Sequence, residues 1–225
     1  MGSAASTLSL AEQASIRHVL LSHAHLDHIK DLPFVIENVF RPGGDPLQVY
    51  AMAATLDALR SHIFNDAVWP DFTVLPTPDD GVLEYHELVF GQPMQVGALQ
   101  VTAFPVNHPG GCAGFLLDSG DGILVVSGDT GPTQELWNAV NARAPHVRAV
   151  LVETSFPNRL NSLADVSGHL TPARLQRELE KLHLSDVPVY VYHIKEPTRA
   201  ETVAELEQLG DARLRILEPG TTIDF

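Results

Sequence analysis

Cysteine is almost absent: Cys112 is the only one in 225 residues. A single thiol excludes an intrachain disulfide framework and any metal site built on cysteines, so a bound metal would fall to histidine and carboxylate ligands. Positive charge is scarce too, with 14 Lys plus Arg against 28 Asp plus Glu, and the lysines are Lys30, Lys181 and Lys195 alone. A formal net charge of −14 repels a long polyanion, which argues against an extended nucleic acid as partner. No apolar window reaches the roughly 18 to 20 residues of a membrane span. Residues 1–9 also lack the cationic start and apolar run of a secretory signal, so the expectation is a cytoplasmic protein with no membrane partner. What the chain does hold is histidine, 11 in all, on a globular background of 44% hydrophobic and 19% charged residues.

No internal repeat or low-complexity linker divides the sequence, which predicts one α+β domain over residues 1–225. Short apolar runs predict strands over 18–21, 47–51, 88–90, 99–106, 114–117, 123–126, 148–153, 187–192 and 213–217. Helical periodicity predicts helices over 29–40, 53–65, 133–143, 171–183 and 198–209, the fourth with Pro172 at its first position. Residues 41–46, with Pro42, Gly43, Gly44 and Pro46, form a predicted turn. Residues 68–81 are irregular, and Trp69 and Phe72 are expected to anchor that loop. Cys112 is expected to be a small buried residue. His18, His62, His86, His146 and His183 are expected to be structural or surface groups.

The string His23-Ala24-His25-Leu26-Asp27-His28 carries the most chemistry. At this chain's composition, His-x-His-x-Asp-His should arise by chance about 0.002 times per sequence. In an extended segment side chains two apart point the same way, so His23 and His25 can grip one ion. Asp27 and His28, past a bend, can face a second. Further ligands should lie where apolar strands end, and three places qualify: Asn107-His108 after 101–106, Gly128-Asp129 after 123–126, and His193 after 187–192. Together these give seven candidates, enough for two ions if Asp129 bridges them.

With those residues in view, the chain from Ile16 onward resembles the metallo-β-lactamase superfamily, which carries the same string followed by a His, an Asp and a His at later strand ends. The resemblance implies a four-layer αββα sandwich. It implies one ion held by His23, His25, His108 and Asp129 and a second held by Asp27, His28, Asp129 and His193. Two Zn²⁺ are the implied cofactors, with Mn²⁺ or Fe²⁺ also acceptable to mixed His and carboxylate ligands. Superfamily membership alone does not settle the reaction. Glu153-Thr154-Ser155-Phe156 and Ser167-Gly168-His169-Leu170-Thr171-Pro172 resemble motifs of its phosphodiesterase branch. The stretches His62-Ile63-Phe64-Asn65, Trp69-Pro70-Asp71-Phe72 and Tyr192-His193-Ile194-Lys195 are more similar to the class II cyclic-nucleotide phosphodiesterases.

That branch implies hydrolysis of a 3′,5′-cyclic nucleotide, cyclic AMP or cyclic GMP, to the 5′-monophosphate by a hydroxide held between two zinc ions. The catalytic groups would be His169 as general acid, Glu153 as its orienting partner, and Asp27. A phosphodiester has a poor alkoxide leaving group, so the site benefits from a proton donor of this kind. Two other readings stand beside it: a transfer-RNA 3′-processing endonuclease, which shares every ligand, and a truncated, non-catalytic metal-binding member. The family also suggests a homodimer. Relative to the family pattern, an N-terminal β-hairpin with a Gly-rich turn is missing before residue 2, and Glu196 stands where Pro is common.

Overall fold

A computed structural model describes residues 1–41 and 43–225. Pro42 of the predicted turn lies outside the described residues. The chain divides into two compact units, Met1–Val89 and Phe90–Phe225.

The first unit is built on a parallel sheet of β1 (His18–Leu20), β2 (Leu47–Met52) and β3 (Leu83–Leu88), in that order. Its helices are α1 (Ala4–Thr7), α2 (Leu10–Gln13), α3 (Leu26–Ile29), α4 (Leu32–Val39) and α5 (Ala53–His62). Parallel strands need crossovers, and here helices supply them while covering one sheet face. Val19, Val49 and Ala51 of the sheet are buried in one apolar cluster with Leu32, Ile36, Leu56 and Leu59 of the helices. A capping box closes the start of α2, with Ser9 accepting from the Glu12 amide and Glu12 reaching back to the Ser9 amide.

Two expectations need correction here. The predicted helix 29–40 is two helices: α3 starts inside the histidine string, and the chain restarts at Leu32. Pro33 has no N–H to donate, and within a continuous helix its ring would strike the carbonyl of Ile29, so the ladder breaks between them. The strand predicted over 88–90 is β3, which ends at Leu88 and begins at Leu83. Its middle is polar and half-exposed, with Gln48 donating to Glu84 across the β2–β3 pair (3.0 Å), so apolar alternation did not reveal it. Phe72 is buried with its ring 6.2 Å from Phe64, and Trp69 meets Phe34 edge-on at 5.4 Å, as loop anchors would.

The second unit holds a seven-stranded sheet among the described residues, ordered β10-β9-β8-β7-β6-β5-β4. Its strands are β4 (Pro93–Val96), β5 (Leu99–Pro105), β6 (Ala113–Asp118), β7 (Ile123–Val126), β8 (Val147–Glu153), β9 (Val189–Tyr192) and β10 (Leu214–Ile216). Pairing is antiparallel from β4 to β7 and parallel from β7 to β10. The parallel crossovers carry α6 (Glu135–Ala142), α7 (Asn161–Ser167) with α8 (Pro172–Leu179), and α9 (Arg199–Gln208). β4 and α7 escaped prediction because each is short and exposed for much of its length. Trp137, Leu136, Leu175, Val150 and Val191 are fully buried in this unit's core. Pro172 opens α8 and the Thr171 hydroxyl accepts from the Arg174 amide, as the N-terminal proline predicted.

This topology positions chemistry. β6 is antiparallel to both β5 and β7, so β5 runs the same way as β7, β8 and β9. The carboxyl ends of these four strands therefore share one edge of the sheet, the edge where open α/β sheets place their sites.

Candidate metal centre

In the first unit, β1 delivers the chain to a buried His23 whose Nδ1 lies 3.1 Å from the Ser22 hydroxyl. The ring centroid of His23 is 4.5 Å from that of His25 and 4.3 Å from that of His28. His25 keeps extended backbone at the entry to α3, so the two-residue spacing turns it toward His23 as expected. Asp27 and His28 follow within α3, with Asp27 Oδ2 3.8 Å from His28 Nε2. Six consecutive residues thus gather three imidazoles and one carboxylate.

In the second unit the candidates come from separate strand ends. His108, three residues beyond the last pair of β5, donates from Nδ1 to the Gly168 carbonyl at 2.9 Å. A contact of this kind is the usual way a protein fixes the tautomer of a histidine that can bind a metal. Gly168 is required there: its φ is +67°, and a Cβ would stand 2.8 Å from Pro109 Cδ and 3.0 Å from His108 Cα. Gly128 does the same service beside Asp129, with φ +62° and room for no Cβ, since Ala113 O would lie 2.5 Å away. Cys112, whose sulfur also crowds that position, is buried as expected.

Asp129 is buried and its Oδ2 lies 3.4 Å from His193 Nε2. With metal bonds of about 2.0–2.2 Å, two ligands of one tetrahedral ion stand about 3.3–3.6 Å apart, so this pair has the spacing of ligands to a common ion. Ligand atoms of His108, Asp129 and His169 lie within 4.8 Å of one another, and so do those of Glu153, His169 and His193. Asp129 therefore reaches a histidine on either side. The donor set, nitrogen and carboxylate oxygen without sulfur, suits zinc, manganese or iron. His193 itself holds φ +64°, a left-handed conformation unusual for a side chain with a Cβ. Strain of this kind persists where surrounding bonds over-determine the backbone. Here the Thr154 amide donates to Tyr192 O (3.0 Å) and the Lys195 amide to Ser155 O (3.1 Å).

Glu153, at the end of β8, is completely buried. One carboxylate oxygen accepts from His169 Nδ1 at 2.6 Å and from the Thr130 amide at 3.1 Å; the other accepts from the Ser155 hydroxyl at 3.1 Å. Burial and the neighbouring Asp129 charge push the Glu153 carboxyl well above the usual carboxylate range, while hydrogen bonds from Thr130, Ser155 and the Leu170 backbone pull it back. His169, 7% exposed, is thereby oriented through Nδ1. The sequence motif singled out His169 and Glu153, and the structure joins them. It also exposes supporting groups that sequence reasoning passed over: Gly168, Thr130 and Tyr192, whose hydroxyl donates to Gly128 O at 2.9 Å. The glycines at 128 and 168, which stand where φ is positive, are the sequence signal for two of these neighbourhoods.

A family model described as "Beta-lactamase superfamily domain" matches residues 3–194, a span that includes every candidate ligand. The chain belongs to the β-lactamase superfamily. This superfamily member is 29% identical over 243 residues to a "Probable 3′,5′-cyclic-nucleotide phosphodiesterase" of Yersinia pestis, covering 94% of the chain and 68% of the relative. It is 30% identical over 205 residues to a "3′,5′-cyclic-nucleotide phosphodiesterase" of Aliivibrio fischeri, covering 80% of the chain and 59% of that protein. Among solved structures it superposes on unliganded yeast PDE1 with a TM-score of 0.77 at 24% identity, covering 90% of the chain and 66% of the yeast protein. The expected metallo-β-lactamase fold is thus found. The chain spans about 59–68% of the length of these relatives.

Proposed function

We propose that this chain is a metal-dependent phosphodiesterase that opens 3′,5′-cyclic nucleotides to 5′-monophosphates. The observation that carries the reading is the buried Glu153–His169 pair, 2.6 Å apart, in a cluster of ligand atoms that includes Asp129 and His108. The names of the relatives in Yersinia pestis and Aliivibrio fischeri support the substrate class.

The string His23, His25, Asp27 and His28 in the first unit, and His108, Asp129 and His193 in the second, are the residues that would supply ligands to divalent ions, zinc by preference. What bound ions supply is Lewis-acid polarisation of the phosphoryl oxygens and a water acidic enough to attack near neutral pH. The chain's own part concerns the leaving group. His169 gives a proton to the departing 3′ oxygen, and Glu153 holds the ring through Nδ1 and favours its protonated form. Two divalent ions would add 4 to the net charge of −14 and leave −10, with the added charge concentrated where a small anion docks. A long polyanion would still meet an acidic surface.

The test is metal analysis combined with turnover of cyclic AMP, cyclic GMP, a 2′,3′-cyclic nucleotide, bis(p-nitrophenyl) phosphate and a precursor transfer RNA. Two ions per chain with selective opening of a 3′,5′-cyclic nucleotide are expected. Cleavage of the precursor RNA in preference to cyclic nucleotides would replace this reading with 3′ processing. Bound metal with no hydrolysis of any substrate would leave a binding protein.

A further inference from the structure

Ser155 is fully buried, and its one hydroxyl lies 2.9 Å from His193 Nδ1, 3.1 Å from Glu153 Oε2 and 3.2 Å from His169 Nδ1, with the His193 carbonyl at 3.3 Å. A hydroxyl has one proton to give and two lone pairs to receive with. Glu153 Oε2 takes that proton. His169 Nδ1 already spends its own on Glu153 Oε1 at 2.6 Å. The short contact at 2.9 Å then has a single consistent polarity: His193 donates from Nδ1 and Ser155 accepts.

The opposite side of the His193 ring accommodates the same tautomer. Lys195 Nζ lies 3.2 Å from His193 Nε2, and an ammonium can only donate. With Nδ1 protonated, Nε2 carries the lone pair, and it is this atom that stands 3.4 Å from Asp129 Oδ2 at the spacing of two ligands on one ion. We infer that Ser155 is a positioning residue: it pins His193 in the Nδ1–H tautomer, presents Nε2 as the ligand atom, and links that ligand to the Glu153–His169 pair through one hydroxyl. A chain of donors runs from His193 Nδ1 to Ser155 Oγ to Glu153 Oε2, while Glu153 Oε1 receives His169. The effect of Ser155 is to make the ligand orientation and the acid orientation depend on a common carboxylate.

The ligand half of this inference rests on the proposed metal role of His193; the tautomer half does not. Nitrogen-15 and proton correlation spectra of the metal-free protein at mildly alkaline pH report which ring nitrogen of His193 carries the proton. The wild type is expected to show Nδ1–H, and Ser155→Ala to populate Nε2–H. Chelator competition should then show one ion held about 10- to 100-fold more weakly in Ser155→Ala, the usual effect of removing a ligand's supporting hydrogen bond, with the other ion unchanged. Ser155→Thr, which keeps a hydroxyl, should recover most of that affinity. A wild-type His193 protonated at Nε2 overturns the inference, whether or not the variants fold. So does a folded Ser155→Ala protein that binds both ions as the wild type does. A wild type that holds two ions in this way yet hydrolyses no cyclic nucleotide would sink the functional proposal and leave the role of Ser155 standing.

Discussion

The two units bring histidines together by different means. In Met1–Val89 three imidazoles and a carboxylate come from six consecutive residues, His23 to His28, and their proximity follows from local backbone geometry: an extended pair, then a single turn of helix. In Phe90–Phe225 the candidate residues His108, Asp129, Glu153, His169 and His193 are spread over 86 positions, and only the shared edge of a partly parallel sheet collects them. Local gathering costs little loop-closure entropy, whereas distant strand ends must be ordered by the whole fold and then held by dedicated partners. Those partners are visible at each candidate histidine of the second unit: Gly168 O for His108, Glu153 for His169 and Ser155 for His193. A site collected by topology depends on residues that no ligand motif contains.

The sharpest way to break this contrast is to remove one ligand from each set. Asp129→Ala, if that carboxylate bridges, should lose both ions by elemental analysis and lower turnover on the order of 10⁴-fold or more, several kcal/mol of lost charge stabilisation. His25→Ala should retain one of two ions. An Asp129→Ala protein that keeps one ion would show that Asp129 bridges nothing. Next in size, His169→Ala is expected to lower kcat by roughly 10²- to 10⁴-fold, the span of a general acid, with metal content kept. A variant at full rate would remove His169 from the chemistry, and one that sheds metal would make it a ligand instead.

Smaller effects probe the supporting shell. Gly168→Ala forces a Cβ into Pro109 and His108 at a φ that disfavours it, so the carbonyl that clamps His108 must shift. Chelator competition should reveal about 10- to 100-fold weaker binding of one ion, with a folded protein by circular dichroism. Smallest in its effect on chemistry is Glu178→Gln. Glu178 is buried and accepts from the Thr133 amide (3.0 Å), Trp137 Nε1 (2.8 Å) and Lys181 Nζ (2.7 Å). The amide retains an acceptor but forfeits the charge, so denaturant unfolding should register a loss of about 1–3 kcal/mol while kcat stays within a few-fold. A large fall in kcat at unchanged stability would mean that the packing of α8 governs the site directly.

Much of the secondary structure was readable because burial imposes period and composition. The strands at 99–106, 123–126 and 148–153 and the helix after Thr171 stand within a few residues of expectation. The failures have equally local causes. Pro33 divides a helix whose apolar pattern looks continuous, and the polar middle of β3 hides a strand whose backbone pairing is complete. α7 has one buried residue, Ala164, and so offers no apolar stripe to read.

By itself, the sequence determined which chemistry was affordable: almost no thiol, few cations, and histidines whose spacing suits metal ligation, because side-chain type and two-residue periodicity are local properties. It also named Glu153 and His169, through motif resemblance rather than through any visible relation between positions 16 residues apart. Only the tertiary structure decided that these two share a proton at 2.6 Å, that Ser155 stands between them and His193, and that Gly168 leaves room for His108. Hydrogen bonds act over about 3 Å, and only folding brings strand ends from distant parts of the chain within that range.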